Sequence, residues 1–123
     1  MARYPGLMLR ILADDHPAIG PGKAQLVALI DATGSISAAA REMRMSYRRA
    51  WQLVEALNAS FIEPVVVTAV GGKRGGGAVV TAFGRELVKQ FRAMEDKASQ
   101  AISTDIEWLQ RQMRKPPRPQ RRK

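Results

Sequence analysis

Residues 35–54 read SISAAAREMRMSYRRAWQLV, and the fold of the chain turns on how this stretch is parsed. Ser35 can offer its hydroxyl to the free N–H groups of a first helical turn. Ile36, Ala39, Ala40 and Met43 then fall at i, i+3, i+4 and i+7, one stripe of a helix over 36–43. Two consecutive alanines on the buried side let another helix approach closely. Arg44-Met45 makes a tight turn whose methionine plugs the gap between helices. Ser46 caps a further helix over 47–58, on which Ala50, Leu53, Val54 and Leu57 point inward. At about 100° per residue, Arg48 and Gln52 lie on the opposite side with Glu55 beside them, flanked by Arg49 and Trp51. Two short helices, a tight turn and an exposed face of Arg, Gln and Trp read as a helix-turn-helix.

Working outward, residues 7–12 (LMLRIL) are short and apolar enough for a β-strand. Residues 17–22 carry two prolines and two glycines and read as punctuation. A helix over 21–33 follows, with Pro21 in its first turn and Gly34 as the left-handed residue after its last. Downstream, residues 64–70 and 78–81 are β-branched runs that read as a hairpin. Their connection, Gly71 to Gly77, holds five of the ten glycines with Lys73 and Arg74 at its tip. A hairpin directly after a helix-turn-helix is a wing. Phe83, Leu87, Phe91, Met94, Ala98, Ile102, Ile106, Leu109 and Met113 then form a continuous seam on one helix over 82–113, roughly 45 Å long at the α-helical rise. Its first turns can pack on the domain. The remainder projects past it and calls for the same helix of a second copy.

The fold class expected is therefore mainly α with a small β-hairpin. A winged helix-turn-helix over 1–81 is followed by a long dimerisation helix over 82–113 and a disordered basic tail over 114–123. Among the 123 residues, 20 Lys and Arg against 11 Asp and Glu give a formal net charge of +9. Seven of those cations lie in residues 111–123 (RQMRKPPRPQRRK), so the preceding 110 residues are close to neutral. The tail reads either as a mobile arm on phosphates or as a solvated extension. With no Cys, the chain offers no disulfide, thiolate metal site or Cys nucleophile, and its single histidine, His16, leaves little from which to build a metal site or a Ser–His–Asp triad. No uncharged run exceeds ten residues (75–84), too short to span a membrane, and the start lacks the apolar core of a signal peptide. A soluble, cytoplasmic protein is expected, with no metal and no other cofactor.

Three motifs in order carry a resemblance: Gly34-Ser-Ile-Ser-Ala-Ala-Ala-Arg41, Met45-Ser-Tyr-Arg-Arg-Ala-Trp51, and Gly71-Gly-Lys-Arg-Gly-Gly-Gly-Ala78 with Thr81 and Gly84. Over residues 7–95 the chain resembles the DNA-binding domain of the molybdate-responsive (ModE-type) transcriptional regulators, relatives of the LysR-type winged helix-turn-helix domains. The resemblance implies a homodimer on an inverted-repeat operator in double-stranded DNA. It puts Ser46, Tyr47, Arg48, Arg49, Trp51 and Gln52 on the recognition helix and Lys73 and Arg74 on the wing. In family members that sense molybdate, the oxyanion sits in C-terminal β-barrel domains without counterpart in these 123 residues, so no molybdate site is expected in this chain.

The chemistry of the residues agrees with that direction. Arg48 matches guanine O6 and N7, and Gln52 matches adenine N6 and N7, both in the major groove. Arg49 and the Tyr47 hydroxyl are better placed for phosphates, as are the helix starts at Ser35, Ser37 and Ser46. Trp51 could instead pack on the preceding helix, and Tyr47 fold back under its own. The wing glycines let a backbone approach a phosphate or minor-groove wall, with Lys73 and Arg74 supplying charge. They do not make a nucleotide-binding loop, because Gly20-Pro21-Gly22-Lys23 has Ala24 where a hydroxyl is required. Asp14-Asp15-His16 reads as a solvated turn, and Glu95-Asp96-Lys97 as the exposed side of the long helix. No enzymatic activity is expected. Leu87, Phe91, Met94, Ala98, Ile102, Ile106 and Leu109 are the expected dimer contacts. The competing functions are a nucleoid-type architectural DNA binder relying on tail and wing, and a module that holds another protein.

Overall fold

The computed structural model describes residues 6–69 and 77–115. Their order is β1 (Ile11–Ala13), β2 (His16–Ile19), α1 (Pro21–Thr33), α2 (Ile36–Glu42), α3 (Tyr47–Ser60), β3 (Val66–Ala69), β4 (Gly77–Val80) and α4 (Ala82–Gln112). The described chain is mainly helical, with two small antiparallel hairpins, β1–β2 and β3–β4.

Local chemistry sets the helix ends. Pro21 opens α1, and Gly34, at φ +71°, closes it with its N–H donating to the Ile30 carbonyl at 2.7 Å, the left-handed stop that glycine adopts without a Cβ penalty. Ser35 Oγ accepts from the Ala38 N–H and Ser46 Oγ from the Arg49 N–H, both at 3.0 Å, so α2 and α3 each begin on a serine cap. Between them the Met45 N–H returns to the Ala40 carbonyl at 3.0 Å, with Arg44 left-handed at φ +58°.

The core joins Leu26, Val27 and Ile30 of α1, Ile36, Ala39 and Ala40 of α2, and Ala50, Val54 and Leu57 of α3 to Val65, Val66, Ala78 and Val80 of the second hairpin. In that hairpin Val66 pairs with Val80, both buried, and Val67 with Val79, both exposed. One face therefore packs inward and the other meets solvent. Asn58 fastens α3 to β3: its Oδ1 accepts from the Val65 N–H at 2.8 Å and its Nδ2 donates to the Val66 carbonyl at 2.9 Å. Thr81 fastens β4 to α4, its hydroxyl donating to the Pro64 carbonyl at 2.6 Å while accepting from the Gly84 N–H at 2.9 Å.

Three expectations are corrected. The single strand over 7–12 and the punctuation over 17–22 are instead a hairpin, Ile11–Ala13 against His16–Ile19, turning at Asp14-Asp15. Asp14 supplies the turn at φ +55°, and Pro17 is tolerated because a two-stranded ladder consists of edges. Phe91 is not a contact kept for a second copy, being 1% exposed in a second cluster with Ile19 and Ala24. Leu87 likewise packs, half-buried, against both clusters. Glu95 is not on the exposed side, with only 3% of its surface accessible, and it keeps an interaction partner. The corrections on α4 follow from one fact: the stripe of that helix that faces the domain is Gly84, Val88, Phe91 and Glu95, rotated from the apolar seam and meeting it at Phe91.

Gly84 marks the tightest approach, since a Cβ there would collide with the Val65 carbonyl and lie 2.8 Å from Val80 Cγ1. At Gly22 the same test finds open space. Gly84→Ala is expected to destabilise the protein by about 1–3 kcal/mol through overpacking. Gly22→Ala should leave stability unchanged or raise it by up to about 1 kcal/mol through helix propensity. Urea unfolding of both variants checks the contrast.

Candidate nucleic-acid interface

The roll of α3 about its axis decides what it offers to a ligand. Ala50, Val54 and Leu57 are buried, which turns Arg48, Gln52 and Glu55 to solvent, with Arg49 exposed beside them. Trp51 packs against the core while its ring stacks on Tyr47, centroids 6.5 Å apart and planes 10° from parallel. Tyr47 remains 54% exposed, so the stack presents an aromatic edge at the start of α3. Ser46 is exposed, and its hydroxyl is engaged as the cap. Ser35 is likewise engaged, whereas Ser37 is exposed on α2. Lys73 and Arg74 lie outside the described residues, as does the chain beyond Lys115.

Along α4, Met94, Ile102, Leu109 and Met113 are exposed and follow one another at helical spacing, with Ala98 half-buried among them. Ile106 is half-buried because the chain ahead of β1 lies against it: a Cβ on Gly6 would come within 3.2 Å of Ile106 Cγ2 and 2.8 Å of Gln110 Nε2. The open part of the seam therefore begins after Phe91. Trp108, 55% exposed, adds an aromatic beside it that the spacing argument passed over.

The structure also assembles a cationic group that sequence reading missed. A groove of about 570 Å³ runs between the first hairpin, the start of α1 and α3. It brings Arg10 and Lys23 to the side of α3 that carries Arg49 and Gln52. Burial, and then the Arg49 guanidinium, hold the Lys23 ammonium below its ordinary pKa of 10.5. These residues are far apart in sequence, and only the hairpin at β1–β2, which was not expected, draws them together. His16 at the groove's rim has its Nδ1 3.9 Å from an Asp15 carboxylate oxygen.

Among the described residues no cluster of three or more His, Cys, Asp or Glu could hold a metal ion. No helix among them is long and apolar enough to cross a membrane.

Over about 70% of its length the chain is homologous to ModE and to the molybdenum-pterin-binding proteins MopA and MopB. It is 45% identical over 86 residues to the molybdenum-pterin-binding protein MopB of Rhodobacter capsulatus, which covers 70% of this chain and 32% of that protein. It is 35% identical over 89 residues to the molybdenum transport protein ModE of Azotobacter vinelandii, covering 72% and 33%. It is 34% identical over 88 residues to the DNA-binding transcriptional dual regulator ModE of Escherichia coli K12, covering 69% and 34%. The chain thus spans about a third of the length of these curated relatives. None of these names is that of an enzyme. No family model matches the chain.

The cap at Ser46 holds the first turn of α3 in place. Ser46→Ala is expected to cost about 1 kcal/mol and to speed hydrogen exchange at the Arg49 amide, whose acceptor is lost. Native-state exchange of the variant against the parent protein checks it.

Proposed function

We propose that the chain is a dimeric, sequence-specific DNA-binding transcriptional regulator. Residues 1–81 act as a winged helix-turn-helix, in which α3 enters the major groove. The observation that carries the reading is the exposure of Arg48 and Gln52, one turn apart, on the face of α3 opposite buried Ala50, Val54 and Leu57. A helix held by a neighbour along one side and presenting Arg and Gln on the other is the arrangement that reads base edges. Arg48 is assigned to guanine and Gln52 to adenine. Arg49, Tyr47, Ser46 and Ser37 take phosphates, and Trp51 supports Tyr47 from beneath. The β3–β4 hairpin is the wing, with Lys73 and Arg74 on the backbone or minor groove.

Pairing of two copies runs along α4 from Met94 through Ala98, Ile102, Ile106 and Leu109. Burying the exposed side chains of Met94, Ile102 and Leu109 against their equivalents is the cheapest way to remove them from water. Two α3 helices held in this way meet successive major grooves, so the operator is an inverted repeat with half-sites about 34 Å apart or a multiple of that. The name of the Escherichia coli relative, a DNA-binding transcriptional regulator, supports this reading.

Specific and architectural binding are separated by two variants. Arg48→Ala is expected to cost about 1–3 kcal/mol on the preferred duplex and to relax base choice at one position of each half-site. Removal of residues 115–123 should weaken all duplexes alike and flatten the salt dependence. Fluorescence anisotropy on preferred and scrambled duplexes reads both. Were Arg48→Ala silent while tail removal abolished binding, an architectural role would replace this one.

A further inference from the structure

The groove between the first hairpin and α3 holds Arg10 and Lys23, two cations the proposed function does not use. Arg10 reaches it from the strand side, Lys23 from the first turn of α1 and Arg49 from α3, and no carboxylate is among the described residues that line it. The Lys23 ammonium is held in place by donating to the Pro17 carbonyl at 2.8 Å, which leaves two further protons to donate. Gly22, beside it, has open space where a side chain would stand, and the turn carries neither an acidic residue nor a side-chain cap. The Arg49 guanidinium repels the Lys23 ammonium here, with Arg10 lining the same groove, and the repulsion is relieved when an anion enters.

We propose that this groove is a phosphate-binding site, in which Lys23, Arg49 and Arg10 take one phosphate of the DNA backbone. The source of the phosphate rests on the reading of α3 given above, and Gln52 is the link. It lines the same groove while standing on the base-reading face. A strand whose bases meet Gln52 therefore passes the mouth of the groove. The first hairpin becomes part of the interface through this contact: β2 supplies the Pro17 carbonyl that positions Lys23, and the segment ahead of β1 supplies Arg10. A phosphate here fixes the register of α3 without reading sequence.

The test uses the full chain with Lys23→Gln and Gly22→Asp, titrated with the preferred duplex and an unrelated one. Asp at position 22 enters open space and places its carboxylate at the start of a helix, where it favours folding, and melting temperatures are read alongside. Both variants are expected to weaken the two duplexes by the same factor. Both should also shrink the loss of affinity between 50 and 200 mM salt by roughly threefold, the share of one phosphate contact. Unchanged affinity and salt dependence in both variants would overturn the site while leaving the base-reading role of Arg48 intact. If the parent protein binds no duplex, the reading of α3 fails instead, and inorganic phosphate decides. Saturable shifts of the Gly22 and Lys23 amide resonances, lost in Gly22→Asp, would keep the site for a free oxyanion, and their absence would overturn it.

Discussion

The contact on which the molecule depends is the close approach of α2 and α3 through Ala39, Ala40 and Ala50, each at most 2% exposed. Three methyl groups in place of larger side chains let the two backbones draw together, and close packing then leaves α3 little freedom to roll. The turn is built to suit. Arg44 takes a left-handed conformation, and the Met45 N–H closes back on α2, so that Ser46 arrives where it can cap the next helix. Because the buried side of α3 is fixed, so is the side that carries Arg48 and Gln52.

From α3 the constraint passes to the rest of the chain through polar links rather than through more apolar surface. Asn58, at the far end of α3, holds the backbone of Val65 and Val66. Val65 in turn accepts from the Thr81 N–H at 3.0 Å, and Thr81 caps α4. Gly84 completes the junction by giving α4 no side chain to hold it away from Val65. The Arg85 guanidinium adds a pair of 3.2 Å hydrogen bonds from its Nε to the Asp31 carboxylate of α1. Under the proposed function, in which α3 reads DNA and α4 pairs two copies, the two helices must keep a fixed angle if both half-sites are to be met at once. This run of short contacts is what sets that angle.

The parts legible in sequence are those with a local cause. Ser35, Ser46, Pro21 and Gly34 mark helix ends by satisfying or terminating backbone groups, and the helices begin where those residues say. The exposed face of α3 follows from the spacing of Ala50, Val54 and Leu57 alone. What escaped has a non-local cause. The strand His16–Ile19 contains a proline and three other residues, too short for a period to speak. The domain-facing stripe of α4 includes Gly84 and Glu95, which a count of apolar side chains passes over, so the spacing alone points Phe91 to a second copy rather than to its own core. The cationic groove depends on Arg10, Lys23 and Arg49 meeting in space, and no spacing rule connects them. Lys73 and Arg74, quoted for their motif, fall outside the described residues.

The central claim is that paired α3 helices read sequence. Selection of bound duplexes from a random pool at physiological salt tests it most directly. The account predicts an enriched inverted repeat whose half-site centres are separated by one helical turn of DNA or a whole multiple of it, with a guanine fixed in each half. A recovered pool as diverse as the starting one, from protein that binds DNA, would contradict it.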